Sequence, residues 1–529
     1  MQPSLLARSN LGMVTSPHQV ASRIGLDVLA AGGNAIDAAI AIVASLCVTY
    51  PHFTGLGGDC FLLIGDAAGN VQTISGIGQA AQNCAGYNGA VPVRGPRSML
   101  TSAATVDALG KAFDISRTRL GGQQSWASLL APAVALARDG FEMTKSQHFW
   151  LNFRRDDMGA LPGVASAFLN DGHSPAVGST LRQPHLAATL ETLAREGPQS
   201  FYVGDLAERI ARGLRNAGSP LTREDIANTK ARLEVPLRVD YRGGQLLSLQ
   251  PPTQGITTLE IMGILERFDL SNIAEGSAEF YHVLVEAVKQ AFIDRNRFIG
   301  DPEFVSVDIA RLLSKQNLDA RAAAINMTCP LDWPHVFQAG DTVYVAAADQ
   351  FGNTVSLLST IYFDWGSGVT AGDTGILWHN RGAAFSLDPD HPNCLAPAKR
   401  PFHTLNPGMY LKNGKVSILY GTQGADGQPQ TLSAILTRMI DFGMDPLTAL
   451  SRPRFLLGKT FSNTHDSLKL EEDVGPEVIA ALSSLGHDVA LIAPQNPLAG
   501  HPGAIVIDAA TGSFIGSHDP RSDGRALGL

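Results

Sequence analysis

Between Ala35 and Val48 the chain reads AIDAAIAIVASLCV, an almost unbroken apolar stretch whose single charge is Asp37. It falls short of the roughly 20 apolar residues that a membrane span requires. It is therefore a helix enclosed on all sides by a large folded core. Asn34 stands where an N-cap belongs. The preceding HQVASRIGLDVLAAGG has apolar positions at helical spacing and closes on Gly32-Gly33, a usual helix stop. Pro51 ends the buried helix, a Gly-rich turn follows over His52–Asp59, and CFLLIGD reads as a strand with DAAGN as its hairpin turn. The glycines at 55, 57 and 58 do not have the spacing of a dinucleotide or P-loop fingerprint, so tight packing of helix against strand is their reading.

A core of that kind suits the composition. The chain has 529 residues, 44% hydrophobic and 17% charged, enough for two to four ordinary domains or one large layered domain. The net charge of −9 lacks the basic excess of a nucleic-acid binder, which sets that class aside without excluding an anionic substrate. Five cysteines, at 47, 60, 84, 329 and 394, show neither a C-x-x-C pair nor Cys/His ligand spacing. Neither a disulfide framework nor a zinc site is indicated, and a reducing compartment follows. No apolar segment follows a basic start at the N-terminus. The expectation is a soluble, cytoplasmic protein with no membrane partner, metal or cofactor.

The middle of the chain is mostly helical: WASLLAPAVALARDG, RQPHLAATLETLAREG, DLAERIARGLRNAG and AEFYHVLVEAVKQAFIDRNRFIG have apolar residues at three- and four-residue steps. LRVDYRGGQLLSLQ is a strand hairpin. Residues 325–340 lack both periodicities and are the most linker-like. Then come two strands, 342–349 and 354–362, around a turn at 350–353. Pairing about that turn sets residue 342 opposite 361, within a slip of one or two, and puts Thr360 and Tyr362 on one face.

Three chemistries compete for these residues. A Ser/His/Asp hydrolase lacks its G-x-S-x-G elbow. Metal hydrolysis lacks H-E-x-x-H or any clustered His/Asp pattern. The third is a threonine nucleophile whose own α-amine, titrating near about 8, accepts the hydroxyl proton. It requires cleavage before a threonine, and Asp341-Thr342 stands where an irregular segment meets a strand.

Several stretches favour the third reading: AAGGNAIDAAIA, PHFTGLGGDCFLLIGD, VDYRGGQLLSLQPPTQG, EAVKQAFIDRNRFIGDP, and the block from DTVYVAAADQFGNTVS to FGMDPLTALSRPRF. Over nearly its whole length the chain resembles the γ-glutamyltransferase family of N-terminal-nucleophile hydrolases. That resemblance implies an α/β (α+β) fold, a four-layer αββα sandwich forming one domain over 1–529. It also implies a precursor that cuts itself into a large subunit, 1–341, and a small one, 342–529, which stay together. Aligned on Gly352-Asn353, the catalytic threonine falls on Thr342. Thr360 matches the threonine that hydrogen-bonds the nucleophile, and Gly424 and Ala425 fall on the turn whose N–H groups form the oxyanion hole.

The departures from the family's pattern are informative. The acid that reads the glutamyl amino group falls on Ala384, the neighbouring glutamine on Arg381, an asparagine on Tyr362, and paired serines on His403 and Thr404. The arginine that grips the α-carboxylate has no clear counterpart before Arg94. A site that exchanges a carboxylate for a guanidinium no longer suits the amino end of glutamate, and Arg381 should meet an anion from protein or substrate. NRGAAFSLDPDHPNCLAPAKRPFHTLNP and SHDPRSDGRALGL look most similar to the oxamate amidohydrolase branch of purine nitrogen use. Substrate-binding candidates are therefore Arg381, Tyr362, His403, Thr404 and Arg94, with His403 balanced between substrate contact and scaffold. The implied reaction converts oxamate to oxalate and ammonia. The alternatives are a γ-glutamyl hydrolase or transferase acting on glutathione-like compounds, and an inactive scaffold. Assembly into a homo-oligomer is left open.

Overall fold

The computed structural model describes residues 5–159, 161, 163–333, 340–459, 465–508 and 510–529. Of the linker-like segment, residues 334–339 lie outside the described residues.

Asp341–Asp349 and Thr354–Tyr362 are buried along their whole length and lie at the centre of a seven-stranded antiparallel sheet. Its order is Arg525–Gly528, Gly12–Ser16, Asp341–Asp349, Thr354–Tyr362, Asp59–Gly65, Val71–Gly76 and Arg232–Glu234. A second seven-stranded sheet runs Ala7–Ser9, Phe514–His518, Gly503–Ile507, Lys415–Gly421, Gly408–Lys412, Gly244–Ser248 and Leu237–Tyr241.

Period-two alternation explains how the sheets stack. Tyr344, Ala346 and Ala348 enter the core shared with Leu247, Met409, Leu419 and Ile505 of the second sheet. Val343, Val345 and Ala347 point the other way, into a core with helices Ala35–Thr49, Trp126–Asp139 and Pro184–Glu196. Gly255–Leu265, Ala278–Phe298 and Gly427–Ile440 cover the outer face of the second sheet. The result is the four-layer αββα sandwich that the family resemblance implies.

Every residue of Ala35–Thr49 is buried, as its composition requires. Asn34 caps it reciprocally with Asp37, and the Ala35 N–H donates to Asp349 Oδ2 at 2.9 Å. Asp349 also closes the strand turn, accepting from the N–H groups of Phe351 and Asn353. One carboxylate thus ties the buried helix to the hairpin that carries Thr342. The Gly-rich turn is a packing device. A Cβ on Gly58 would lie 2.1 Å from the Thr360 carbonyl oxygen, and one on Gly57 would lie 2.4 Å from that of Leu377.

Gly255–Leu265 is buried all round and so carries no amphipathic stripe to read. Thr105–Arg119 and Lys145–Met158 are further helices outside the stretches assigned from periodicity. Among the described residues no helix is long and apolar enough to cross a membrane.

Candidate active site

The pairing of the central strands changes register at Thr342. Asp341 lies opposite Tyr362 and Val343 opposite Ser359, so Thr342 faces a bulge made by Thr360 and Ile361. A bulge bends the strand and re-aims side chains, which suits a reacting residue. Thr342 is 2% exposed and Asp341 3%. The register agrees with the expected pairing to within one residue.

Among the described residues the Thr360 hydroxyl makes no hydrogen bond to the Thr342 side chain. Its hydroxyl donates to the carbonyl oxygen of Asp341 and accepts from the Tyr362 N–H at 2.7 Å. In the continuous chain it therefore holds the carbonyl of the Asp341-Thr342 peptide. The Thr342 hydroxyl instead accepts from Gln428 Nε2 at 3.4 Å.

Gly424 and Ala425 form the turn that enters helix Gly427–Ile440. Both have positive φ, 125° and 46°. Ala425 carries a Cβ in a region that favours glycine. Gln254 anchors this turn from the large helical side, donating to the carbonyls of Ala425 at 2.7 Å and Thr404 at 2.6 Å. Arg295 holds the adjacent Asp426 through a buried ion pair of 2.8 Å. Among the described residues, the N–H groups of Gly424 and Ala425 have no acceptor.

Arg381 opens a short 3-10 turn, is fully buried, and lies with its guanidinium carbon 3.7 Å from the centre of the Tyr362 ring. Tyr362 has φ 78°, a strained conformation for an aromatic residue, and its ring packs against Gly340. All three guanidinium nitrogens of Arg381 lack a hydrogen-bond partner. Burial lowers its pKa to about 10, with Tyr362 and Asp59 opposing that shift. No protein anion among the described residues pairs with it. Burial also pushes the Tyr362 phenol up to about 12.

The remaining candidates have other partners. His403 is fully buried, with Nε2 3.1 Å from Asp59 and Nδ1 accepting from the Leu405 N–H. Burial, together with Arg381, lowers its pKa to about 3, so the ring is neutral at neutral pH. This is a scaffold arrangement. Asp59 also faces His379 at 3.5 Å, and these histidines hold its carboxyl below the usual range despite burial. Thr404 offers its carbonyl to Gln254. Arg94 is committed to Asp364, at 3.2 Å to the carboxylate and 2.6 Å to the carbonyl, and to the Gly366 carbonyl. Lys399 donates to the Pro392 carbonyl and Arg400 pairs with Asp301.

Sequence reasoning missed Gln423, whose Nε2 donates to Asp341 Oδ1 at 2.9 Å, and with it Gln428 and Gln254. Their signal is three glutamines in otherwise apolar or Gly-rich surroundings, where a buried amide has to be hydrogen-bonded. Asp341 itself is held well above the ordinary carboxylate range, by burial first and the nearby Asp364 second.

Among the described residues one group could hold a metal: His282, Glu286 and His487. Its donors are already engaged. His282 Nδ1 meets His487 Nε2 at 2.7 Å, and Glu286 pairs with Lys289 and accepts from the Leu331 N–H. It reads as a hydrogen-bonded clasp.

Comparison with known proteins places the chain in a family. The family model described as Gamma-glutamyltranspeptidase matches residues 21–529. The oxamate amidohydrolase proenzyme of Klebsiella pneumoniae is 42% identical, over 98% of this chain and 99% of its own. The glutathione hydrolase-like YwrD proenzyme of Bacillus subtilis is 41% identical, over 98% of each. The crystal structure of a cephalosporin acylase from Bacillus halodurans superposes with a TM-score of 0.89 at 31% identity, covering 100% of this chain and 98% of that one. The chain belongs to the gamma-glutamyltranspeptidase family and is an amide-bond hydrolase.

Proposed function

We propose that the chain is a precursor that cuts itself before Thr342 and then hydrolyses a small anionic amide, oxamate in the first place. In the cutting step the Thr342 hydroxyl attacks the Asp341 carbonyl carbon. The C–N bond breaks as the acyl group moves to Oγ1, and water then hydrolyses the ester. The products are a carboxylate on Asp341 and a free amine on Thr342, within subunits 1–341 and 342–529 that remain in one αββα domain.

In turnover that amine removes the hydroxyl proton as Oγ1 attacks the substrate amide carbon. The N–H groups of Gly424 and Ala425 face the oxyanion. The proton passes to the leaving nitrogen, ammonia departs, and water releases oxalate from the acyl-enzyme.

Arg381 carries the substrate assignment. It is a fully buried cation that no protein anion contacts among the described residues, Asp59 acting on it only from a distance, and it is stacked on the tyrosine that lies opposite Asp341 in the sheet. An unpaired buried charge costs several kcal/mol, so the site is completed by an anionic ligand. The oxamate carboxylate, bidentate on the guanidinium, sets its amide one carbon away from that anchor. The names of the Klebsiella pneumoniae relative and of the acylase support amide hydrolysis of this kind.

A γ-glutamyl substrate presents a cationic amino group as well as a carboxylate. Ala384, in the same turn as Arg381, offers no side-chain acceptor for that cation. Steady-state turnover of oxamate against a γ-glutamyl anilide tests the assignment. Oxamate should be hydrolysed and the anilide turned over poorly; turnover of the anilide alone would overturn it.

A further inference from the structure

Gln428 lies in the first turn of helix Gly427–Ile440 and is fully buried. One end of its carboxamide touches the nucleophile, with Nε2 3.4 Å from Thr342 Oγ1. The other end, Oε1, is buried with no hydrogen-bond partner among the described residues. A buried carbonyl left in that state is destabilising, so a donor is missing.

Within the uncut chain the nitrogen of Thr342 belongs to a peptide bond. Cutting would turn it into an amine, which in its ammonium form has three N–H donors. Covalent geometry keeps that nitrogen only about 3 Å from Oγ1 on the same residue. The terminal torsion of a glutamine is broad, so the carboxamide can turn without leaving its rotamer well.

We infer that Gln428 is a positioning residue that bridges the two reacting groups of Thr342, its Nε2 on the hydroxyl and its Oε1 on the new α-amine. This rests on the N-terminal-nucleophile reading above. The bridge holds amine and hydroxyl side by side, the arrangement that proton transfer between them requires. An acceptor on the N–H groups favours the ammonium form, so the contact raises the pKa of the amine.

The test uses the full-length chain and the variants Gln428→Met and Gln428→Glu. The amine pKa is read without substrate, from the pH dependence of Thr342 carbamylation by cyanate, followed by mass on the small subunit. Wild type and both variants should be cut. The pKa should fall by about one unit in Gln428→Met and rise in Gln428→Glu. The acid limb of kcat/KM for oxamate should shift in the same directions, with KM little changed.

An unmoved pKa in both cut variants overturns the inference. So does a rise in KM with the pKa unmoved, since Oε1 would then face the substrate amide. Failure of both folded variants to be cut also contradicts it, because Gln428 would then act in the cutting step rather than on its product. A wild-type chain that stays uncut is a different failure, that of the N-terminal-nucleophile reading itself.

Discussion

The Thr360 hydroxyl donates to the carbonyl oxygen of Asp341, the carbonyl that precedes Thr342. The same hydroxyl accepts from the Tyr362 N–H, which fixes its direction. A donor aimed at a carbonyl under attack stabilises the negative charge that develops there. Thr360→Val should therefore slow cutting by about 100-fold or more, followed as the time course of fragment appearance by denaturing mass spectrometry. Thr360→Ser keeps the hydroxyl and should retain most of the rate. Equal rates in wild type and Thr360→Val would remove this role.

Arg381 separates function from stability. An apolar side chain of similar length in place of a buried cation without a partner removes that cation's desolvation penalty, so the fold should be unchanged or more stable. Arg381→Met should thus melt at or above the wild-type temperature while losing oxamate turnover by at least about 100-fold. A large loss of stability together with full activity would show that the guanidinium has a protein partner and no substrate role.

Ala425 occupies φ 46° at the mouth of helix Gly427–Ile440. Ala425→Gly relieves the left-handed conformation, so stability should rise by up to about 1 kcal/mol with activity retained. Ala425→Val places a branched side chain in that conformation, on a Cβ that even a Cβ added to Gly340 would meet at 3.3 Å. It should lose both stability and turnover. Melting curves of the pair check this, and an unchanged Val variant would contradict it.

Acid should unfold the protein early. His403, His501 and His518 are each buried, with pKa values lowered to about 3, and His18 to about 4, chiefly by burial. These rings are neutral in the fold and protonated in the unfolded chain between about pH 6.5 and those values. The unfolded state binds more protons there, so stability falls as pH falls. Each ring contributes up to about 1.4 kcal/mol per pH unit in that window. Asp341 acts oppositely, as do Asp37, Glu234, Glu260 and Asp523: their raised pKa values favour the fold at low pH and lose that contribution as pH rises, but the lowered histidines, which also include His52 and His487, outnumber them. The melting temperature should drop steeply from pH 6.5 to 4.5; a flat profile would mean the histidines reach water.

The elements that build the layers were legible because their signals are local, whereas the four-layer arrangement followed from the family resemblance. The buried helix Ala35–Thr49, the amphipathic helices of the middle region and the two central strands all carry their periodicity in the chain. Gly255–Leu265 was not legible, since a helix enclosed on every face has no stripe. The site was legible only in part. Short-range register brings Thr342, Thr360 and Tyr362 together, while the Gly424–Ala425 turn was picked out by the family resemblance alone. That Arg94 is paired with Asp364, and that Arg381 is paired with no protein anion among the described residues, depends on residues brought together from distant parts of the chain. No spacing rule reports such pairings. The same holds for Gln423 and Gln428, whose amides matter only through what they touch.

Denaturing mass spectrometry of the purified full-length chain, beside Thr342→Ala, tests the central claim most directly. The account predicts two fragments for the wild type, residues 1–341 and 342–529, the second with a free Thr342 amine, and an intact Thr342→Ala chain. An intact wild-type chain after long incubation, or cutting of the alanine variant at the same bond, would contradict it.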